Sequence, residues 1–596
     1  MEAMSIAVKN AVNAGRRRIL TGMGLACLSV MLIFITSDST SFGQSDSLPG
    51  RLKVMKAELT RNYEALRKEE VPPYYISYTI DEVRTQGVAG SFGAVTAQSD
   101  DTTAILRVGL RTGSYEFDSS RELRGSATSL LSTLSGALSS YLTPLGDGGG
   151  DALSVVLWMA TDDAYKNAVE KLSQLKSAQN VQITPEDQSD DFSRSEPQTS
   201  LGKRADTQVD LGKWAERIRA FTAQFKNRPF ITSSSGTFQN EIRNKYFVDT
   251  EGAVLLVPAN YMRLSINANA RTDDGMDLPL YLSYFGYKES DFPSEKTVLN
   301  DIRALIDTLE KMRAAPVIEP YTGPVIFSEN TSGVFFHEIL GHRLEGHRLK
   351  SDMDGQTFKK KAGEQVLPEF LSITFDPTIR KLDNFILSGA YDFDDEGVRS
   401  EKVVAIKDGV LKDFLMSRTP MVGFPRSNGH GRAAPGNAPV SRQSNLIVES
   451  KNALSENELR RMLIAECKKH NKPFGLLIKE VSGGQTVTSR SSLNVFSITP
   501  LLVYRIYADG RPNELVRGVT LGGTPLTAFG KIIATGNRRD VFNGICGAES
   551  GQVPVSALSP AILVSEIEIQ KRSTSPEKPP ILPPPPVKNP VEKGGK

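Results

Sequence analysis

The sequence predicts an α+β chain of two domains: an α/β N-terminal domain, then a mostly β C-terminal domain that carries a histidine-bearing helix. Three observations predict this. At 596 residues the chain is too long for one ordinary core. Its composition, 39% hydrophobic and 23% charged, supplies the apolar material for large cores. Helical and strand-like patterns mix up to about residue 315, and from Pro316 onward strand patterns dominate around one histidine-rich stretch.

Residues 1–43 read as an export signal or a membrane anchor. Arg16, Arg17 and Arg18 precede an uncharged run from Ile19 to Ile35, and small residues at Ser41 and Gly43 suit a cut before Gln44. The run is also long enough for an uncleaved anchor, and the arginines loosely resemble a twin-arginine signal, which exports folded, metal-loaded proteins. The expected location is therefore exported, periplasmic or secreted, with a membrane tether as the variant.

The N-terminal domain is expected over 44–315. Leu52, Met55, Leu59, Tyr63 and Leu66 fall on one side of a helix at 51–70, "YYISYTI" and "AILRVGL" alternate as strands, and 151–177 reads as a long helix. Residues 181–210 are polar and nearly free of large apolar groups, which predicts an exposed, mobile insertion. A helix at 211–227, strands on either side of the turn in "NKYFVDTEGAVLLV", and a helix at 294–314 complete the domain. In the C-terminal domain, 316–572, Ser455 and Glu458 stand in capping-box spacing before a helix. Asp509-Gly510 marks a hairpin turn, and the last strand is expected near 562–570. The Pro-rich stretch 573–596 should be extended and unpacked.

Charge excludes little by itself, since the net value is +2. No basic tract interleaved with aromatics occurs, so nucleic-acid binding has no support in the sequence. Three cysteines cannot form a disulfide framework. Cys27 lies in the export segment, leaving Cys467 and Cys546 to be explained by burial or by a metal.

"GVFFHEILGHRLEGHRLK", residues 333–350, holds three of the five histidines. On an ideal helix of about 100° per residue, His337 and His342 lie about 140° apart with Glu338 and Glu345 between them, while His347 points to the far side. That arc is wide for one ion, so a one-residue π-bulge is expected at Gly341 to align the two imidazoles. Either they flank a metal, or they are satisfied core histidines with Glu338 paired to Arg343 or Arg348. A zinc ion with one open position needs a third protein ligand, and Cys546, between Gly544 and Gly547, is the strongest candidate. Cys467 falls on the apolar side of its helix and reads as core. His470 is expected to meet the end carbonyls of that helix. For His430, in "SNGHGR", site-lining and surface roles are equally open.

"FFHEILGHRLEG" and "CGAESGQVPV", together with "SNGHGR", "EVSGGQ" and "LVRGVTLGGTP", resemble the TldD/PmbA family of metallopeptidases, in its metal-bearing TldD-like branch. The resemblance covers about 50–570 and is firm from 320 to 570. It implies that His337, His342 and Cys546 bind Zn2+ and that Glu338 acts as general base. It also implies a homodimer, or a heterodimer with a homologous subunit, enclosing a cavity where an unstructured peptide is hydrolysed. Glu345 is expected to orient a ligand histidine. The alternatives are a non-catalytic zinc-stabilised binding module and a partner subunit of a heteromeric peptidase. The export segment, the 181–210 insertion and the Pro-rich tail depart from the family pattern.

Overall fold

The computed structural model describes residues 48–121, 141–145, 150–179, 187–351, 354, 357–488, 496–523 and 528–572. The expected export segment and Pro-rich tail lie outside the described residues.

The N-terminal domain is built on a sheet of long antiparallel strands with two short strands added, one of them parallel to its neighbour. They are β1 (Pro73–Ser91), β2 (Ala94–Thr112), β3 (Tyr141–Leu142), β4 (Thr199–Leu201), β5 (Ile231–Asp249), β6 (Val254–Arg271) and β7 (Asp277–Gly286), in the order β3-β2-β1-β5-β6-β4 with β7 also on β6. The β5–β6 turn is the one expected from "DTEGA", closed by Gly252 at φ +106°, a conformation glycine adopts without a Cβ penalty. Among the described residues four helices cover the sheet: α1 (Gly50–Leu66), α2 (Gly150–Gln179), α3 (Leu211–Ala223) and α4 (Glu295–Ala314). Asp210 and Ser294 cap the last two by accepting from Lys213 N–H and Thr297 N–H. Trp214, Ile218 and Phe221 of α3 and Ile302, Leu305 and Leu309 of α4 bury against Val88, Phe238 and Ile266. That core also takes in Leu501 and Leu502 of the C-terminal domain.

The stretch 181–210, expected to be exposed and mobile, is exposed or half-buried over 194–210 but packed ahead of that. Residues 180–186 lie outside the described residues; beyond them Asp187, Asp191, Phe192 and Ser193 are buried. Phe192 sits 4.9 Å from the Tyr75 ring, and the Arg418 guanidinium lies 3.9 Å above the Phe192 ring. Asp191 accepts from Arg121 Nε at 2.9 Å. One aromatic and one paired carboxylate anchor a segment whose average polarity suggested solvent.

The C-terminal domain contains β8 (Tyr321–Phe327), β9 (Leu371–Phe375), β10 (Val403–Lys407), β11 (Asn445–Ser450), β12 (Phe474–Thr486), β13 (Phe496–Tyr507), β14 (Val519–Gly523), β15 (Ile532–Ala548) and β16 (Gly551–Lys571). Strand β8 pairs parallel with β12 and antiparallel with β16, while β16 pairs β14 and β14 pairs β13, so five strands close into a ring. Strands β15 and β16 form a long hairpin in which Cys546 faces Val553. Three short helical segments span the histidine stretch: α5 (Glu329–Ile339), a 3-10 turn (Gly341–Leu344) and α6 (Gly346–Lys350). The capping-box helix, α7 (Glu456–Lys469), forms as expected and buries Leu459, Leu463 and Cys467.

Every residue of α5 from Thr331 to Ile339 is buried. Gly333 permits this depth, because a Cβ there would stand 2.7 Å from the Ala557 carbonyl of β16. The domains are tied by ions placed away from water. Asp395 of the C-terminal domain pairs with Arg243 Nη2 at 3.1 Å and with Lys245, both on β5, and accepts Ala433 N–H at 2.8 Å. Burial opposes its charge, but the two cations hold its carboxyl far below the usual range. Asp395→Ala leaves Lys245 buried without its partner and should destabilise the protein by about 3–5 kcal/mol. Denaturant unfolding measures this, and a loss below about 1 kcal/mol, the scale of an exposed pair, would show that the cluster does not hold the domains.

Candidate metal centre

The three side chains expected to meet do meet. A ring nitrogen of His337, one of His342 and Sγ of Cys546 all lie within 4.8 Å of one another, and all three residues are buried. The imidazole centroids are 5.0 Å apart and nearly perpendicular. Nε2 of His342 stands 3.4 Å from Sγ of Cys546.

The route to this geometry differs from the expected π-bulge. The α-helix ends at Ile339, and the backbone tightens into the 3-10 turn that carries His342. Gln443 occupies the space beside the break: a Cβ on Gly341 would fall 1.9 Å from its side-chain oxygen, and its amide donates to the His337 carbonyl at 3.2 Å. The break turns His342 back toward His337, which no uninterrupted helix would do at a spacing of five. Cys546 arrives from β15, where side chains alternate. Its neighbour Ile545 faces the opposite way, into a cavity of about 640 Å³ between the domains that Arg243, Tyr261, Tyr391 and Arg432 help to line.

The donor set fits a divalent metal. Nδ1 of His337 is buried and has no hydrogen-bond partner, as a ligand nitrogen is in the absence of its ion. Burial works against the Cys546 thiolate, yet His342 and His337 hold its pKa well below the ordinary thiol value. Burial also disfavours a charged His342, but Glu345 and Cys546 carry it up to about 10. Two imidazoles and a thiolate suit a borderline-soft ion, and three protein donors leave one position of a tetrahedron open.

Around the donors runs a chain of charges, buried at Glu345, Arg348 and Arg442 and reaching the surface at Glu549. Oε2 of Glu345 lies 3.2 Å from Nδ1 of His342 and accepts Nε of Arg348 at 2.7 Å. Arg442, fully buried, donates Nη2 to the Cys546 carbonyl at 2.7 Å and Nη1 to Ser550 Oγ at 2.8 Å and the Gly551 carbonyl at 2.9 Å. Its Nε is 3.8 Å from Oε1 of Glu345. Arg348 Nη2 reaches Glu549 Oε2 at 2.8 Å, and His347 bonds the other oxygen of Glu549. His347 thus stands outside the donor set yet still fastens the turn after Cys546.

Glu338 is buried beside its ligand neighbour, and its side chain presses on Gly484 of β12, where a Cβ would stand 2.3 Å from Glu338 Cγ. His430 is fully buried rather than on the surface: Nδ1 lies 3.0 Å from Asn428 Oδ1 and Nε2 3.1 Å from Ser444 Oγ. Burial pushes its pKa down to about 3, so it is a neutral structural imidazole. It does not join the donor group. His470 meets the Glu466 carboxylate at 3.4 Å instead of helix-end carbonyls. Arg442 and Gln443 carried no signal in the sequence, because their spacing of about a hundred residues from the donors matches no local motif. Glu549, three residues past Cys546 in the same turn, could have been suspected.

Fold and site together define an α+β protein with a His-His-Cys centre at the junction of a helix break and a hairpin. Residues 320–571 match the family model described as the PmbA/TldA metallopeptidase C-terminal domain. A metalloprotease of Archaeoglobus fulgidus is 30% identical over 281 residues, 47% of this chain and 59% of that one. The chain therefore spans somewhat over half the length of that relative. Among solved structures, a Thermotoga maritima protein described as a modulator of a DNA gyrase aligns with a TM-score of 0.56 at 15% identity, over 86% of this chain and 99% of the other. TldE from Thermococcus kodakarensis aligns at 0.55 and 12% identity, over 87% of this chain and all of the other. Residues 320–571 thus match the PmbA/TldA metallopeptidase C-terminal domain, the chain shares the fold of these solved structures, and it carries a candidate site for a divalent metal.

Arg442→Lys keeps a positive charge but loses the planar fork that serves Cys546, Ser550 and Gly551 together. Zinc affinity, measured by chelator competition, should fall about 10–100-fold. Unchanged affinity in a folded variant would remove Arg442 from any part in holding the donors.

Proposed function

We propose that this chain is the metal-bearing subunit of an exported zinc peptidase that hydrolyses unstructured peptides. The convergence of His337, His342 and Cys546, with Glu338 following directly on the first, carries the reading. Zinc held there would supply a nucleophile near neutral pH and polarise the scissile carbonyl. His342 is oriented by Glu345, which takes its Nδ1 side and leaves Nε2 for the ion. Glu338 accepts the proton of the attacking water and passes it to the leaving amine. Its stem rests against Gly484, so a side chain at 484 would displace the carboxylate. An extended peptide can add to strand edges of the β-rich domain, which reads backbone more than sequence. A homologous partner subunit, in a homodimer or heterodimer, is part of the proposal, supported by the fold shared with TldE.

A second reading has its own support. The donor set is complete without a carboxylate, and the structural neighbours include TldE and a protein described as a gyrase modulator. On that reading the chain is a zinc-stabilised, non-catalytic partner, and Glu338 is only a buried carboxylate. Glu338→Gln separates the two. Under the peptidase reading the variant keeps stoichiometric zinc and loses hydrolysis of an unfolded peptide by about 10²–10⁴-fold, the usual contribution of a general base. Cys546→Ser should lose the metal itself. A zinc-loaded wild-type chain that cleaves nothing, alone or mixed with its homologous subunit, would decide for the partner role.

A further inference from the structure

Five of the ten large apolar side chains that stand exposed among the described residues come from one stretch: Leu142, Leu145, Val155, Trp158 and Met159, each more than half open. Val155, Trp158 and Met159, at i, i+3 and i+4, share one face of α2. Leu153, Leu157 and Ala160 on its other side are buried in the domain. At the edge of the sheet the hydroxyl of Tyr141 bonds Asp163, one turn beyond Met159, while Leu142, next along the strand, points to the other face.

The same region is where the chain enters the fold. Arg51, in the first turn of α1, donates Nη2 to the Pro144 carbonyl at 3.0 Å, between Leu142 and Leu145. Val54, on the next residues of that turn, lies 3.8 Å from the Cβ position of Gly150 at the start of α2. Upstream in sequence lies the uncharged run Ile19–Ile35, which ends only 14 residues before Gly50. Fully extended, those residues reach at most about 50 Å.

We infer that this face rests on the lipid bilayer into which the Ile19–Ile35 segment inserts, so that the N-terminal domain docks on the membrane around the start of α1. The inference rests on retention of that segment and not on the peptidase reading. An apolar patch of this kind marks an interaction surface. A half-open tryptophan among aliphatic side chains is typical of residues at the membrane–water interface. The short tether keeps the bilayer at high effective concentration beside the patch, an advantage that a second copy of the chain lacks. The face then lies in the headgroup boundary as an interfacial helix does.

The protein reports on this itself, for it has two tryptophans, Trp158 and Trp214. Trp214 is buried and stacked on Phe238 at 3.6 Å between centroids. Full-length protein reconstituted into phosphatidylethanolamine–phosphatidylglycerol vesicles with brominated acyl chains should lose most of its Trp158 emission. Trp158→Phe should leave only emission that the bromines do not touch. Val155→Ser with Met159→Ser should return acrylamide access to Trp158 while the chain stays in the vesicles. Emission indifferent to bromine would overturn the inference. So would a Trp158 equally shielded in detergent in a dimer that Met159→Glu dissociates, which makes a second copy the occupant. Recovery of the chain from its host's soluble fraction with Gln44 at its N-terminus would overturn it as well.

Discussion

Glu345 is a carboxylate with no exposed surface, and the geometry of the metal centre is organised around its charge. An uncompensated buried carboxylate costs several kcal/mol. Burial alone would raise its pKa, but His342, Arg348 and Arg442 bring it down to about 2, so the charge persists. Those partners decide what the rest of the site can do. With Nδ1 of His342 facing Glu345, Nε2 is the nitrogen that meets Cys546. With Arg442 drawn toward the other oxygen, the same guanidinium that balances Glu345 also grips the Cys546 carbonyl. One buried anion therefore aligns donors that stand about two hundred residues apart in the chain.

The helix break is the second half of that arrangement. A continuous helix would separate His337 and His342 around its axis. Ending α5 at Ile339 leaves carbonyls without intrahelical donors, which must find other partners. Arg343 Nη1 donates to the Glu338 and Ile339 carbonyls, each at 3.0 Å, and Gln443 serves that of His337. The break is thus satisfied by side chains and not left as stored strain. Its depth, with α5 buried against β16, keeps those bonds away from competing water.

Local chemistry was legible wherever it acts locally. The Ser455–Glu458 box starts its helix, Gly252 closes its turn, and alternation sets the long N-terminal strands. The donor triad was legible too, as residue types if not as geometry. What the sequence hid depends on distant partners. Whether residues 334–349 continue as a helix is decided by Gln443 beside Gly341. Whether a polar run stands free is decided by Phe192 finding Tyr75 and Arg418. Average polarity over thirty residues cannot register one aromatic anchor, and helical periodicity cannot register a side chain arriving from another strand.

The site also draws on the N-terminal domain, through contacts that constrain sequence lightly. Arg263 on β6 donates to the Asn543 carbonyl at 2.8 Å, three residues before Cys546. Arg107 on β2 reaches the Asp395 carbonyl at 2.9 Å, and Tyr281 on β7 the Val481 carbonyl, also at 2.9 Å, three residues before the Gly484 that backs Glu338. In each case the acceptor is backbone, which any residue at that position supplies. The β15–β16 hairpin thus has one face toward the donors and another toward the cavity between the domains, with its backbone held from the N-terminal side. Placement of Cys546 is consequently a property of both domains, even though all three donors belong to one.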